Sequence, residues 1–355
     1  MKIGILTFHC AYNFGAILQS YALYSFLKLH HYNVEMVNYC PPYLETKKTR
    51  LRIRTFLNRS PYRTIKLALR LIQRDKKYIS FISNNMTSSI RCDCQNSYNS
   101  VIKNYDVVII GSDQVWNTTY NGKDPIWYGK GVNDWQNLLA YAVSAGDPKF
   151  TKQELEDLKI YLKAFSNISV REECLASVIT PLTSKPISTV LDPSLMAPTV
   201  IWKKWMSQKA KKSIVIYQAR INDNVFRIAE SLSKKTGYPI IAVDFYANSK
   251  KSGYFKVVSP EEFFILVNNA YCVITTSFHG TAFSIITNTP FYTLRLNDGA
   301  DARSEELLER LGAIDRMIDV DAEVAKVDMD FTSINIKLDK LRKESQEFLL
   351  KGLQK

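Results

Sequence analysis

The chain is poor in several features that would have pointed elsewhere. No apolar run approaches the ~18–20 residues that a membrane-spanning helix needs, although the sequence is 355 residues long and 46% hydrophobic. Its start, Met1–Thr7, runs straight into a strand pattern without the long apolar region and cleavage site of a signal peptide. The expected location is the cytoplasm. There are six cysteines and four histidines. Only Cys92 and Cys94 are close in sequence, at a spacing foreign to zinc knuckles, so no metal is expected and the thiols are read as reduced and mostly buried. The GxGxxG and GxxxxGK[ST] phosphate fingerprints are missing. Short repeats and low-complexity segments are missing too.

Acidic residues are scarce in one stretch. Twelve Lys or Arg face a single acid, Asp75, between Lys47 and Lys77, so nearly all of the formal +13 is local. Ile65, Leu69 and Ile72 with Ala68 can form one helix stripe there. Such a helix lies on an anionic membrane surface, meets a phosphorylated acceptor, or packs its stripe on a core and solvates its charges. Nucleic acid is not expected as a partner.

What is present is a twofold alternation of strand and helix. Strands at 2–8, 34–39, 106–110, 138–143, 168–170 and 187–191 interleave with helices at 16–29 and 152–164. After a break near Asp192-Pro193 and Ala197-Pro198, strands at 213–218, 239–243, 271–274 and 291–294 interleave with helices at 225–234, 260–268 and 304–311. This alternation predicts parallel, doubly wound sheets. The expected domains are 1–195, carrying a basic insertion at 45–80, and 196–332, facing each other across a cleft. A helix at 333–355 is expected to pack back on the first domain.

Polar residues gather at the strand ends, where open α/β sheets bind ligands. Asn13 and Gly15 suit the turn after the first strand, with Gln19 one helical turn on. Ser112, Asp113, Gln114 and Trp116 follow the apolar run Val107–Ile110. Amides and carboxylates bind sugar hydroxyls, an indole covers a sugar face, and Asp113 could take a proton from an attacking hydroxyl. Arg171 and Arg220 each end a strand, and a guanidinium fork suits phosphate or carboxylate. In Thr275–Thr281, His279 lies on a strand-to-helix turn, beside a helix start that favours anions.

Together these segments resemble the polysaccharide pyruvyl transferase family. The resemblance rests on Asn13-Phe14-Gly15-Ala16 with Gln19, Gly111–Trp116, Ser169-Val170-Arg171-Glu172, Asp192-Pro193 and Ser277-Phe278-His279-Gly280-Thr281, in order from about residue 3 to 315. It implies a two-domain α/β fold like that of GT-B glycosyltransferases, two Rossmann-like domains facing a cleft. It also implies transfer of a pyruvyl group from phosphoenolpyruvate, as co-substrate and without a cofactor, to two hydroxyls of a sugar in a surface-polysaccharide precursor such as a lipid-linked oligosaccharide. A cyclic ketal forms and phosphate leaves.

The family histidine falls on His279 and the arginine of its Val-Arg segment on Arg171. Some members carry an arginine where this chain has Ser277, so Arg171, Arg220 or Arg295 is expected to supply that charge. The expected donor side is therefore Arg171, Arg220, Ser277, Gly280, Thr281 and Arg295. The expected acceptor side is Asn13, Gly15, Gln19, Ser112, Gln114 and Trp116, with His279 as acid and Asp113 as base. Two other readings fit the same architecture: a nucleotide-sugar glycosyltransferase, and a non-catalytic membrane-associated assembly protein.

Overall fold

The computed structural model describes residues 1–44, 61–243, 252–324 and 327–354. It divides into two compact units, residues 1–50, 82–198 and 340–355 in one and 51–81 with 199–339 in the other. Each is built on a six-stranded sheet in which all pairings are parallel.

The first unit contains β1 (Lys2–Leu6), α1 (Phe14–Leu29), β2 (Asn33–Met36), the end of α2 (Pro61–Asn85), α3 (Gln95–Ile102), β3 (Val107–Ile110) and β4 (Asn137–Val143). It continues with α4 (Lys152–Tyr161), β5 (Asn167–Val170), α5 (Glu173–Ile179), β6 (Ile187–Thr189) and α6 (Pro193–Met196). Its strand order is β2-β1-β3-β4-β5-β6. Strands β1, β3 and β4 are almost wholly buried apolar runs, as strands covered on both faces should be. Trp116, Trp127, Phe165 and Ile168 sit in the core beside them.

The second unit contains α7 (Lys203–Met206), β7 (Ile214–Tyr217), α8 (Asn224–Thr236), β8 (Ile240–Val243), β9 (Phe255–Lys256) and α9 (Pro260–Asn268). Then come β10 (Cys272–Thr275), α10 (Phe278–Ile286), β11 (Phe291–Arg295), α11 (Ala302–Leu311), β12 (Met317–Asp319) and the start of α12 (Thr332–Leu353). Its order is β12-β11-β10-β7-β8-β9. Local chemistry sets the element ends. Ser259 Oγ accepts from the Glu262 N–H while Glu262 accepts from the Ser259 N–H, a capping box that starts α9 with Pro260 at its first position. Gly237 closes α8 at φ 73°, a left-handed turn that favours glycine.

Residues 340–353 of α12 belong to the first unit. There Ser345 Oγ accepts from the Leu191 N–H at 2.9 Å, Arg342 Nε donates to Leu195 O at 3.0 Å, and Asn137 Nδ2 donates to Gly352 O at 2.8 Å.

The basic insertion differs from expectation. Residues 45–60 of it lie outside the described residues. The helical part was expected in the first domain, yet residues 61–81 group with the second unit. Two contacts explain this: Phe81 packs on Trp205 at 5.7 Å and Lys77 pairs with Glu262. The face of α2 that packs holds Leu71, Tyr78 and Phe81, whereas Ile65, Leu69, Ile72 and Ile79 are exposed. The stripe read from sequence is therefore the outward one. Among the described residues, no helix is long and apolar enough to cross a membrane.

Candidate active site

Both sheets reverse their winding once, and at such reversals the flanking loops diverge and leave a crevice at the strand ends. In the second sheet the reversal falls between β7 and β10, whose last residues, Tyr217 and Thr275, are paired in register. Thr275 Oγ1 donates to Tyr217 O at 2.6 Å and accepts from the Ser277 N–H at 3.0 Å. Thr276 Oγ1 donates to Arg220 O at 2.7 Å and accepts from the Arg220 N–H at 3.3 Å. These bonds tie the β7 exit to the β10 exit.

The Arg220 side chain folds over the same turn. Its Nε and Nη2 donate to Thr276 O at 3.3 and 3.0 Å, and Nη1 pairs with Asp298 and, at 2.8 Å, with Asp301. One-fifth of that side chain remains exposed. Asp301 is fixed in turn by the Leu296 N–H, which donates to Oδ2 at 2.8 Å.

Helix α10 begins at Phe278, so His279 occupies its first turn rather than the connecting turn expected from the sequence. The reason is steric. A Cβ on Gly280 would lie 2.2 Å from Thr275 Oγ1, and glycine there lets the helix start directly against its strand. Ser277, at the cap position, makes no side-chain capping bond. Thr281 Oγ1 is 2.6 Å from Thr293 Oγ1 and donates to Ser277 O at 3.3 Å, which anchors the helix to β11. The His279 ring lies against Phe278 and Phe283, with centroids at 5.2 and 6.3 Å, and is only 6% exposed. Arg295 stands one strand outward, at the end of β11, paired with Glu305 at 2.8 Å and Asp319 at 3.7 Å.

In the first sheet the reversal falls between β1 and β3. Asn13 caps α1, its Oδ1 accepting from the Ala16 N–H at 3.2 Å, and Gly15 lies in the first turn. Gln19 is buried; its Nε2 donates to Thr7 Oγ1 at 3.1 Å, and among the described residues no donor reaches its Oε1. Thr7 Oγ1 donates to Ser112 O at 2.8 Å, and Ser112 Oγ donates to Asp192 Oδ2 at 3.1 Å. Asp113 is half-buried in a left-handed conformation, φ 68°, with its carboxylate accepting from the Gln114 N–H at 2.9 Å. Gln114 Oε1 accepts from Asn117 at 2.8 Å.

Three expectations are corrected by burial. The Arg171 side chain is 3% exposed. Its Nε donates to Glu172 at 3.0 Å, Nη1 to Asp192 at 3.1 Å and Nη2 to Ser144 Oγ at 2.8 Å. Burial disfavours its charge, but the two carboxylates outweigh burial and raise its pKa above the ordinary value. Arg171 is buried as well as fully paired, whereas the equally paired Arg220 keeps a fifth of its side chain exposed, so Arg171 organises the interior instead of a donor. Trp116 is completely buried, donates Nε1–H to Trp127 O at 3.0 Å and stacks near Tyr128; it is core, not a platform for a sugar. Ser112 is likewise buried, and its hydroxyl is spent on Asp192.

The structure thus assembles two groups, each within one unit: Asn13, Gly15, Gln19, Asp113 and Gln114 at the first reversal, and Arg220, Ser277, His279, Gly280 and Thr281 at the second. Sequence reasoning missed Thr276, whose hydroxyl and carbonyl hold Arg220, and the acids Asp298 and Asp301. A signal was available for Thr276, since it stands next to the motif; none marked the two acids.

A family model for polysaccharide pyruvyl transferase matches residues 13–298. A search of curated proteins finds no significant match. Among solved structures, UDP-GlcNAc 2-epimerase of Methanocaldococcus jannaschii in complex with UDP-GlcNAc and UDP is 14% identical, with 100% of this chain and 99% of that chain aligned at a TM-score of 0.51. The Neisseria meningitidis UDP-GlcNAc 2-epimerase bound to UDP-GlcNAc is 10% identical, with 100% of both chains aligned at a TM-score of 0.47. At 14% identity the likeness to the Methanocaldococcus jannaschii structure is one of fold, the two-domain GT-B-like α/β architecture.

Proposed function

The chain belongs to the polysaccharide pyruvyl transferase family, a family of transferases with sugar or oligosaccharide acceptors, and on that premise we propose that it moves a pyruvyl group from phosphoenolpyruvate to two hydroxyls of one sugar. The observation that carries the proposal is the second sheet's reversal, where the paired exits of β7 and β10 bring a guanidinium to Thr276, next to a helix start whose first turn holds a nearly buried imidazole.

The chemistry asks for those groups. Phosphoenolpyruvate carries a carboxylate and a phosphate, which Arg220 and the first-turn amides of α10 would hold. Its central carbon becomes electrophilic when the methylene takes a proton, and His279 is the proposed donor. One sugar hydroxyl adds to that carbon, phosphate leaves, and the second hydroxyl closes the ketal. Asp113 is the proposed base for the hydroxyl protons. The half-buried Asn13 and Gln114 are the proposed acceptor contacts, and the fully buried Gln19 braces the same reversal through Thr7.

The acceptor is proposed to be a lipid-linked oligosaccharide presented at the inner face of the cell membrane. Helix α2 supports this placement: Ile65, Leu69, Ile72 and Ile79 are 52–62% exposed on one side of a helix from the most basic stretch of the chain. An apolar stripe bordered by cations suits the interface of an anionic bilayer. Neutralising Arg63, Lys66, Arg70 and Arg74 should weaken binding to anionic vesicles, most at low salt; unchanged binding returns the helix to a purely structural role.

The reaction itself is tested by incubating the protein with phosphoenolpyruvate and lipid-linked oligosaccharides. The expected result is phosphate release matched by a pyruvyl mass gain on the sugar. Turnover of nucleotide sugars with no reaction of phosphoenolpyruvate would overturn the proposal.

A further inference from the structure

Cys10 lies in the loop between β1 and α1, one residue after His9 and three before the capping residue Asn13. Its Sγ is 2.8 Å from Cys40 Sγ. Neither thiol is casually placed. The Cys40 N–H donates to Cys92 O at 2.8 Å and the Cys92 N–H donates to Asn38 O at 3.0 Å, so a short bridge fixes the chain just after β2. The loop around Cys10 is held by Ala11 N–H donating to Phe8 O at 3.0 Å and Asn13 N–H donating to Ala11 O at 2.8 Å. The two thiols also reach Tyr39 O at 3.6 Å and Asn38 Oδ1 at 3.5 Å.

Their exposure is asymmetric. Cys10 is partly exposed and Cys40 is buried. A reagent therefore meets Cys10 first, with Cys40 behind it as the resolving thiol. Cys92, the third thiol nearby, is buried, and burial pushes it up to about 12, so it stays protonated near neutral pH and is a poor competitor.

We propose that Cys10 and Cys40 form a reversible oxidation site that takes a low-molecular-weight disulfide as oxidant and closes an intramolecular disulfide across the β1–α1 loop. The Cys10 thiolate attacks one sulfur of the small disulfide, forming a mixed disulfide and releasing one small thiol. Cys40 then attacks Cys10 Sγ, and the second small thiol leaves. The protein gives up two thiol hydrogens and two electrons; the oxidant takes them as its two released thiols. From the observed contact, a bond of about 2.05 Å needs less than an ångström of approach. The product ties the loop carrying His9 and Asn13 to the segment after β2. Any effect on the acceptor rests on the function proposed above; the thiol chemistry does not.

The full-length chain is treated with oxidised glutathione, freed of reagent and weighed by mass spectrometry. Cys94 is replaced by serine in every sample, because it is exposed and its thiol is held below the usual range by hydrogen bonding with Ser97. The expected result is a loss of two hydrogens' mass, a peptide joining positions 10 and 40, and reversal by dithiothreitol. Hydrogen exchange across residues 8–13 should slow in the oxidised form. Cys10→Ser should show no internal cross-link, and Cys40→Ser should stop at the glutathione adduct. A stable adduct on Cys10 of the Cys94→Ser protein, a cross-link through Cys92, or unchanged exchange after cross-linking would overturn the proposal. Because mass and exchange are read without substrate, failure of the pyruvyl reaction would leave this result standing, and the converse holds.

Discussion

Arg171 and Arg220 are two arginines at strand ends, one in each unit, and they have opposite lives. Arg171 follows β5, two strands away from the first sheet's reversal, and closes an interior network with Glu172, Asp192 and Ser144. Arg220 follows β7, at the second sheet's reversal, where it is bonded to Thr276 O and part of its side chain still meets solvent. The same residue type at the same kind of position is interior in one unit and at the proposed donor site in the other. What separates them is the order of strands, which decides whether a strand end opens on a crevice or on a neighbour.

The sharpest way to break that contrast is to remove each guanidinium. Arg171→Ala leaves two buried carboxylates without their cation and should cost about 3–5 kcal/mol, read by denaturant unfolding. Arg220→Ala should cost less, roughly 1–2 kcal/mol, while phosphate release from phosphoenolpyruvate falls about 100-fold. If Arg171→Ala kept wild-type stability and lost only turnover, the two assignments would have to be exchanged.

A smaller effect tests how tightly the second reversal is built. Gly280→Ala puts a methyl against Thr275 and should cost about 1–3 kcal/mol, with α10 pushed off its strand and phosphate release reduced. Wild-type melting would show that the helix start has slack.

The smallest effect concerns α2. Burial opposes the Glu262 charge, but the hydrogen bonds from Lys77 and Ser259 prevail and hold its carboxyl below the ordinary range. A carboxyl depressed in the folded state stabilises above its unfolded pKa, and that gain disappears as pH falls through the folded value. Lys77→Met should therefore lower stability at neutral pH by less than about 1 kcal/mol. The difference from wild type should shrink as pH drops below about 4. A gap that persisted in acid would mean that Lys77 acts through packing.

Much of the fold was legible because it is written locally. The apolar runs Val107–Ile110 and Ile214–Tyr217 are strands, and the Ser259–Glu262 box starts its helix where sequence says it should. The order of the strands was not legible, since it depends on pairings such as Cys272 with Ile214 that no local pattern encodes. For the same reason Arg171 looked like a ligand: its partners Ser144 and Asp192 lie 27 and 21 residues away. Trp116 misled because a tryptophan after a polar turn reads the same whether its ring faces a sugar or Trp127 O. In Ser277–Thr281 the motif was visible but its start was not, because a glycine normally weakens a helix and here permits one.

The central claim is that His279 gives the proton that makes phosphoenolpyruvate reactive. The direct measurement is single-turnover phosphate release, with acceptor present, for wild type and His279→Ala proteins of matched circular dichroism and melting temperature. Wild type should release one phosphate per ketal formed, and the variant should be slower by about 100-fold or more. A folded variant that released phosphate and formed ketal at the wild-type rate would contradict the assignment.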